Sequence, residues 1–444
     1  MSIVLERIAK LIKFLLLGLI FLLPFQTRLI YKLGLINGNP WEYGTESLYG
    51  TEILLGIIIL LALVYFALSV FKNKQLIFWH KNELLSFRMV LFYLTTLLLL
   101  INVFIFALDK GISVYKLTSL ILSGAFICLL IVFKPKITNI YYALVASATF
   151  QSILAIEQFV SQKVLANKWL GVAAQDPNTL GTPVVEISTG RWLRTFGTLP
   201  HPNILAGFLL IALIFIIGLT ILNDNRRTKK LLTLFFIINL VGLLTTLSRG
   251  AIFALALAII IWSFIKQKDK EINKKISKYV LVSVFIIIAF SVSFPELIGS
   301  RTLGQDRLEN ISNTSRLTQY SEFWQIYKSN WLSGIGLNNY TVAEYLNSPG
   351  QSAWDYQPMH NAYLLIIAEL GLMGLIVVIS YLAFLISKFK QRINFSQEQL
   401  IAFISLLAIS IVAIFDHYLW SFYFGLLLFS LVMSLNIRQE EQEK

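Results

Sequence analysis

Apolar residues occur along this chain in runs of about twenty, separated by short polar links, almost to its C-terminus. A helix rising ~1.5 Å per residue needs about 20 apolar residues to cross a hydrocarbon core. That length predicts spans at roughly 9–25, 51–71, 88–108, 114–133, 138–159, 203–222, 231–247, 250–265, 279–298, 361–386, 400–415 and 418–436, of which the eighth and eleventh are short. Two connections are much longer than the others, 160–202 and 299–360, and both are rich in turn residues, aromatics and polar groups. Inside the second, Leu317, Tyr320, Trp324, Tyr327 and Trp331 recur every three or four residues and predict an amphipathic helix near 315–331. The fold class is an all-α polytopic membrane protein of about 12 transmembrane helices: one integral membrane domain, 1–444, with a large extracytoplasmic loop before the tenth helix.

Composition agrees with that pattern. The 444 residues are 57% hydrophobic, with a mean hydropathy of +0.72, too apolar for a soluble core to hide. The net charge of +13 would suit nucleic acid, but the basic residues sit in short links between spans, as cytoplasmic loops require, so no nucleic-acid partner is expected. Lys72, Lys74, Lys81 and Arg88 form one cluster; Arg226, Arg227, Lys229 and Lys230 another; Lys266 to Lys278 a third; Lys388, Lys390 and Arg392 a fourth. Twelve spans put all four on one side. With Arg7, Lys10 and Lys13 ahead of the first span, the positive-inside rule places both termini in the cytoplasm and the two long loops outside a cytoplasmic (inner) membrane. The first span lacks a small-residue cleavage site and reads as a retained anchor, and the tail RQEEQEK reads as disordered. The single cysteine, Cys128, lies mid-span, which excludes an internal disulfide and a thiolate cluster.

With this topology, even-numbered spans present the positive end of the helix dipole to the outside. The sixth begins at LPHPNILAG, where Pro202 suits a first turn and His201 or Thr198 a cap. In the eighth, LSRGA supplies Ser248 as N-cap and Arg249 next to it, at the tip of an otherwise apolar hairpin. His360 and Asn361 open the tenth, and Asp416 with His417 the twelfth. Arg316 falls in the first turn of the predicted outer helix, after the cap candidates Asn313, Thr314 and Ser315. An arginine in a first turn opposes the helix dipole by ~0.3–1 kcal/mol, so helix stability alone does not select it. A bound anion reverses that sign, because backbone N–H groups and a guanidinium fork together hold phosphate.

Each residue also has a structural reading. Arg249 suits a snorkelling anchor at lipid headgroups, Arg316 a solvated loop, His360 a hydrogen-bonded cap, and His201 with Asn203 a proline-shaped turn. Asp416 and His417 suit either an orienting pair or a polar belt. The four histidines are scattered without a His-x-x-x-His pair, and no Asp-x-Asp motif faces outward, so neither metal nor cofactor is expected.

In order and spacing, LPHPNILAG, TLSRGA, SRLTQYSEFWQIYKSNWLSGIGLNNY and MHNAYLLIIAELGLMG resemble the O-antigen ligase and O-antigen polymerase superfamily of bacterial glycan-transferring membrane proteins. The resemblance covers about 190–440 in pattern and the whole chain in topology. It implies transfer of a glycan from an undecaprenyl diphosphate carrier to an acceptor hydroxyl at the outer face of the cytoplasmic membrane, without nucleotide sugar or metal. Glycan, lipid or protein acceptors all remain open. Membrane lipids are the remaining partners. Matched motif by motif, the family's hairpin arginine falls on Arg249, its loop arginine on Arg316 and its loop-end histidine on His360. These three are the expected catalytic residues. Arg194, His201, Asn203, Asn361, Ser248 and Trp324 are expected to bind substrate.

Some O-antigen polymerases carry arginine and glycine separated by ten residues. Eleven positions beyond Arg191, Arg194, Arg301, Arg307 and Arg316 stand Pro202, Leu205, Ser312, Thr318 and Tyr327, which favours a ligase over a polymerase. A lipid-linked glycan flippase would be a transporter instead, but apart from Glu157 and Glu369 near span ends, ionisable groups sit at the edges of the predicted spans. A cell-wall polymerase of the shape, elongation and division group would share the many-span architecture and the lipid diphosphate donor. A noncatalytic scaffold would bind the carrier lipid without reacting.

Overall fold

The computed structural model describes residues 2–73, 87–179, 181–303 and 307–438. Lys74, Lys81, His80 and the tail after Arg438 lie outside the described residues. The helices are α1 (Ser2–Leu22), α2 (Gly50–Asn73), α3 (Phe87–Ile101), α4 (Lys110–Phe133), α5 (Ile137–Ser161), α6 (Pro202–Leu222), α7 (Arg226–Thr245), α8 (Arg249–Ile265) and α9 (Lys270–Ser293). They continue as α10 (Pro295–Leu303), α11 (Arg307–Asn330), α12 (Tyr340–Asn347), α13 (Ala362–Leu370), α14 (Leu372–Gln391), α15 (Gln397–Phe415), α16 (Tyr418–Ser421) and α17 (Tyr423–Ile437). Each predicted span is largely helical. Among the described residues eight helices are long and apolar enough to cross a membrane, and three shorter apolar ones accompany them.

The spans carry apolar side chains on their outer faces as well as inside. Leu60 and Leu63 on α2 and Phe285 and Ile288 on α9 are all exposed, an arrangement water penalises and hydrocarbon does not. The chain is a multi-pass membrane protein. Its axis is α6, buried along its whole length and packed by α5, α7, α8, α9 and α15. Small residues permit the close approaches that substitute for a hydrophobic driving force in lipid. A Cβ on Gly207 of α6, for example, would overlap the Tyr418 hydroxyl.

The tenth and twelfth spans are not continuous. Gly371, at φ 61° and ψ −135°, separates α13 from α14, and the carbonyls freed there are taken by the loop that follows α11: Ile335 N–H donates to Ala368 O and Gly336 N–H to Glu369 O. The Asn102 amide donates to Glu369 O as well, at 3.0 Å. Non-helical backbone at this depth persists because protein groups satisfy it. The twelfth span starts as the single turn α16, and after an extended Phe422 continues as α17.

The long loops have structure of their own. The first contains a hairpin pairing Val184–Ile187 with Gly190–Leu193. In the second, α10 has no counterpart among the predicted elements, and α11 begins at Arg307 rather than near 315. Nothing between Arg307 and Ser315 breaks a helix: there is no Gly or Pro, and Asn, Ser and Thr are tolerated inside one. Arg307 is tied to Glu186 of the hairpin at 2.9 Å. Asn313, Thr314 and Ser315 are therefore interior residues, not caps, and Arg316 does not lie in a first turn. Phe323 and Ile326 of α11 face the core, while Leu317, Tyr320, Trp324 and Trp331 are exposed.

Candidate active site

Only Thr246, Leu247 and Ser248 join α7 to α8, and Leu247 is forced to φ 52°. A non-glycine residue in the left-handed region is strained, and here the strain aims the start of α8 into a cavity. Ser248 takes the N-cap position but its side chain makes no cap hydrogen bond, contrary to expectation. The first N–H groups of α8 point away from their own helix, and Ser248, Arg249, Gly250 and Ala251 all line the cavity.

That cavity, of about 310 Å³, gathers residues from five elements. Arg249 comes from α8, Arg301 from α10, Arg316 from the flank of α11, Asn203 from α6 and Asp416 from the end of α15, with Phe253 and Phe415 as apolar walls. Arg249 donates to Arg301 O at 2.8 Å, and Arg301 donates to Leu247 O at 3.1 Å. The Arg316 Nε is buried without a hydrogen-bond partner. Among the described lining residues three guanidiniums thus face one carboxylate, that of Asp416. Arg301 is not among the expected site residues; its signal is Pro295 followed by Glu296, which marks the start of a short helix.

Asp416 is already engaged. The Asn203 amide donates to its Oδ2 at 2.9 Å and the His417 N–H to its Oδ1 at 2.8 Å. Burial pushes its carboxyl up, but the neighbouring histidines and the Asn203 amide outweigh burial and hold it below the usual range. Arg194 is buried behind the cavity, not in its lining, and positions Asn203: its Nε donates to Thr246 O at 3.0 Å and its guanidinium to Asn203 Oδ1 at 2.9 Å. His201 is the N-cap of α6, with Nδ1 accepting from Asn203 N–H, and Thr198 instead bonds Pro24 O and Gln151.

His360 precedes α13 and stands next to this group. Its ring lies 5.3 Å from that of His417, and the charges of Asp416 and Arg316 both reach it. Gln319 Oε1 accepts from the His360 backbone N–H at 3.1 Å and from its Nδ1 at 3.0 Å. An oxygen that already accepts from a backbone N–H accepts from the ring too, so Nδ1 carries the hydrogen and Nε2 is the basic nitrogen. Burial pushes the His360 imidazole down, Asp416 opposes this and Arg316 adds to it, for a net fall below the ordinary value. Gln319 is not expected in this role, since an isolated glutamine gives no sequence signal. Asn361 caps α13 through its side-chain oxygen, bonded to Tyr363 and Leu364 N–H. Trp324 is exposed on α11, away from the cavity. Among the described residues no group of three His, Cys, Asp or Glu is placed to hold a metal ion.

A multi-pass helical membrane protein with an arginine-lined cavity among its inter-helix loops is the class that this architecture defines. Residues 234–379, which include Arg249, Arg301, Arg316 and His360, match the family model described as O-antigen ligase. That segment, about a third of the chain, is where the chain is similar to the O-antigen ligase family. No curated protein gives a significant match.

Proposed function

We propose that this protein is an O-antigen ligase-like glycosyltransferase that moves a glycan from an undecaprenyl diphosphate carrier to an acceptor hydroxyl at the outer face of the cytoplasmic membrane. The observation that carries this reading is the convergence of Arg249, Arg301 and Arg316 with the start of α8 on one cavity beside His360. A sugar diphosphate leaves as a polyanion, and fixed cations placed where that charge grows lower the barrier more than they stabilise the ground state. In the reaction the acceptor oxygen bonds to the anomeric carbon from the face opposite the carrier, and the bond from that carbon to the phosphate oxygen breaks. The acceptor's proton passes to His360 Nε2, and the configuration inverts. The positive charge comes from guanidiniums, so the step needs no metal.

The test is transfer by the purified protein in nanodiscs from a lipid diphosphate glycan, scored for carrier release and product linkage. His360→Ala is expected to lose ~10²–10⁴-fold in rate and Arg249→Ala ~10²–10³-fold, both with unchanged folding, while wild type keeps its activity in chelator. Product formed at the wild-type rate by either variant, or movement of lipid across the bilayer without product, would reject the assignment. The linkage of the product separates ligase from polymerase.

A further inference from the structure

A second cavity, of about 630 Å³, lies on the other flank of α11. It is lined from α11 by Asn310, Thr314, Thr318, Glu322 and Gln325, residues three or four apart that form one polar stripe, and from across the groove by Glu344 of α12 and Asp355. Among its described lining residues there is no lysine or arginine. Hydroxyls, amides and carboxyl groups without cations are the groups that recognise sugar hydroxyls, and among them a phosphate or a uronate finds no counter-charge. Glu344 lines this groove, and its Oε2 is buried without a hydrogen-bond partner, a state that costs ~1–3 kcal/mol. Burial and the nearby Glu322 push the Glu344 carboxyl up, which lets it donate as well as accept. Gln319 stands between the two cavities, lining the groove while its Oε1 holds His360.

We propose that this groove is the acceptor subsite and that it takes an uncharged, hydroxyl-rich oligosaccharide, so that α11 sorts the two substrates by charge: polyanionic carrier on the Arg316 side, neutral acceptor glycan on the Glu322 and Glu344 side. The proposal rests on the transferase reading above, and its test separates the two. Full-length protein in nanodiscs is titrated with maltotetraose, chitotetraose and tetragalacturonate, and separately with geranylgeranyl diphosphate. At least one neutral oligosaccharide binds saturably in the millimolar range and the uronate does not. Glu344→Ala weakens that binding on the order of tenfold, as for one lost hydrogen bond. Thr318→Trp, an exposed position whose new indole fills the groove, abolishes it, and neither variant changes diphosphate binding. Absence of binding by both neutral sugars, equal binding of the uronate, or sugar affinity unmoved by both substitutions overturns the subsite. Diphosphate affinity indifferent to Arg249→Ala and Arg316→Ala instead overturns the carrier reading.

Discussion

In the proposed reaction His360 serves as the base because of what holds it. With Nδ1–H committed to Gln319 Oε1, only Nε2 is left to take a proton, and burial keeps the ring neutral at pH 7. Its value is lowered from about 6.5, so activity is expected to stay level from pH 8 down to ~6.5 and to fall only on the acid side of that, where Nε2 protonates. Gln319→Leu frees the tautomer; it should reduce kcat more than KM and move the acid limb, and an unaltered pH profile would count against the positioning role. His201 and His417, both outside the spans, extend the same logic to stability. Burial pushes each down to about 3, with Arg194 adding to the effect at His201, while in the unfolded chain each titrates near 6.5. The folded state binds fewer protons, so its stability is full above ~6.5 and is lost as pH falls towards ~3. Melting temperature measured from pH 7.5 to 4.5 should decline through that window, and less steeply for His417→Gln.

At the scale of elements, the site depends on helices that stop early or break. Leu247 turns α7 into α8 so that N–H groups open into the arginine cavity, and Gly371 splits the tenth span so that α13 sits under His360. A Cβ at Gly371 would meet the backbone of Leu332 and Gly334 at 2.4–2.8 Å, in a conformation that only glycine adopts readily. Gly371→Ala is therefore expected to cost ~1–3 kcal/mol or more, read as a lowered melting temperature; an unchanged melt would show that the break is not a constraint. Such breaks mark the limit of what the sequence reveals. Runs of apolar residues predict a helix at each span, because periodicity and length are local properties, though α9 begins at Lys270 rather than 279 and α1 at Ser2 rather than 9. The interruptions at Gly371 and Phe422, the extension of α11 back to Arg307 and the helix α10 follow from tertiary partners, which local pattern does not contain. The same division holds for the candidate site: Arg249, Arg316 and His360 are legible from motif and position, whereas Arg301 and Gln319 become visible only when α10 and α11 are folded against the hairpin.

For the whole molecule, the proposed function has cationic side chains from α8, α10 and α11 together grip the diphosphate of a lipid carrier, with the base alongside. The supports of that cavity span the chain: Arg194 and Asn203 before and within α6, the α7–α8 turn, and Asp416 after α15. Bonds from Arg249 to Arg301 O and from Arg301 to Leu247 O fix two of the guanidiniums to the backbone around the cavity. The most direct test is a cryo-electron microscopy structure of the protein in nanodiscs with undecaprenyl diphosphate. Oxygens of both phosphates are expected within hydrogen-bonding reach of Arg249, Arg301 and Arg316, with the prenyl chain leaving between Phe253 and Phe415 towards lipid. Phosphate density on the face that carries Lys266 to Lys278, or anywhere that leaves the three arginines without contact to it, would contradict the account.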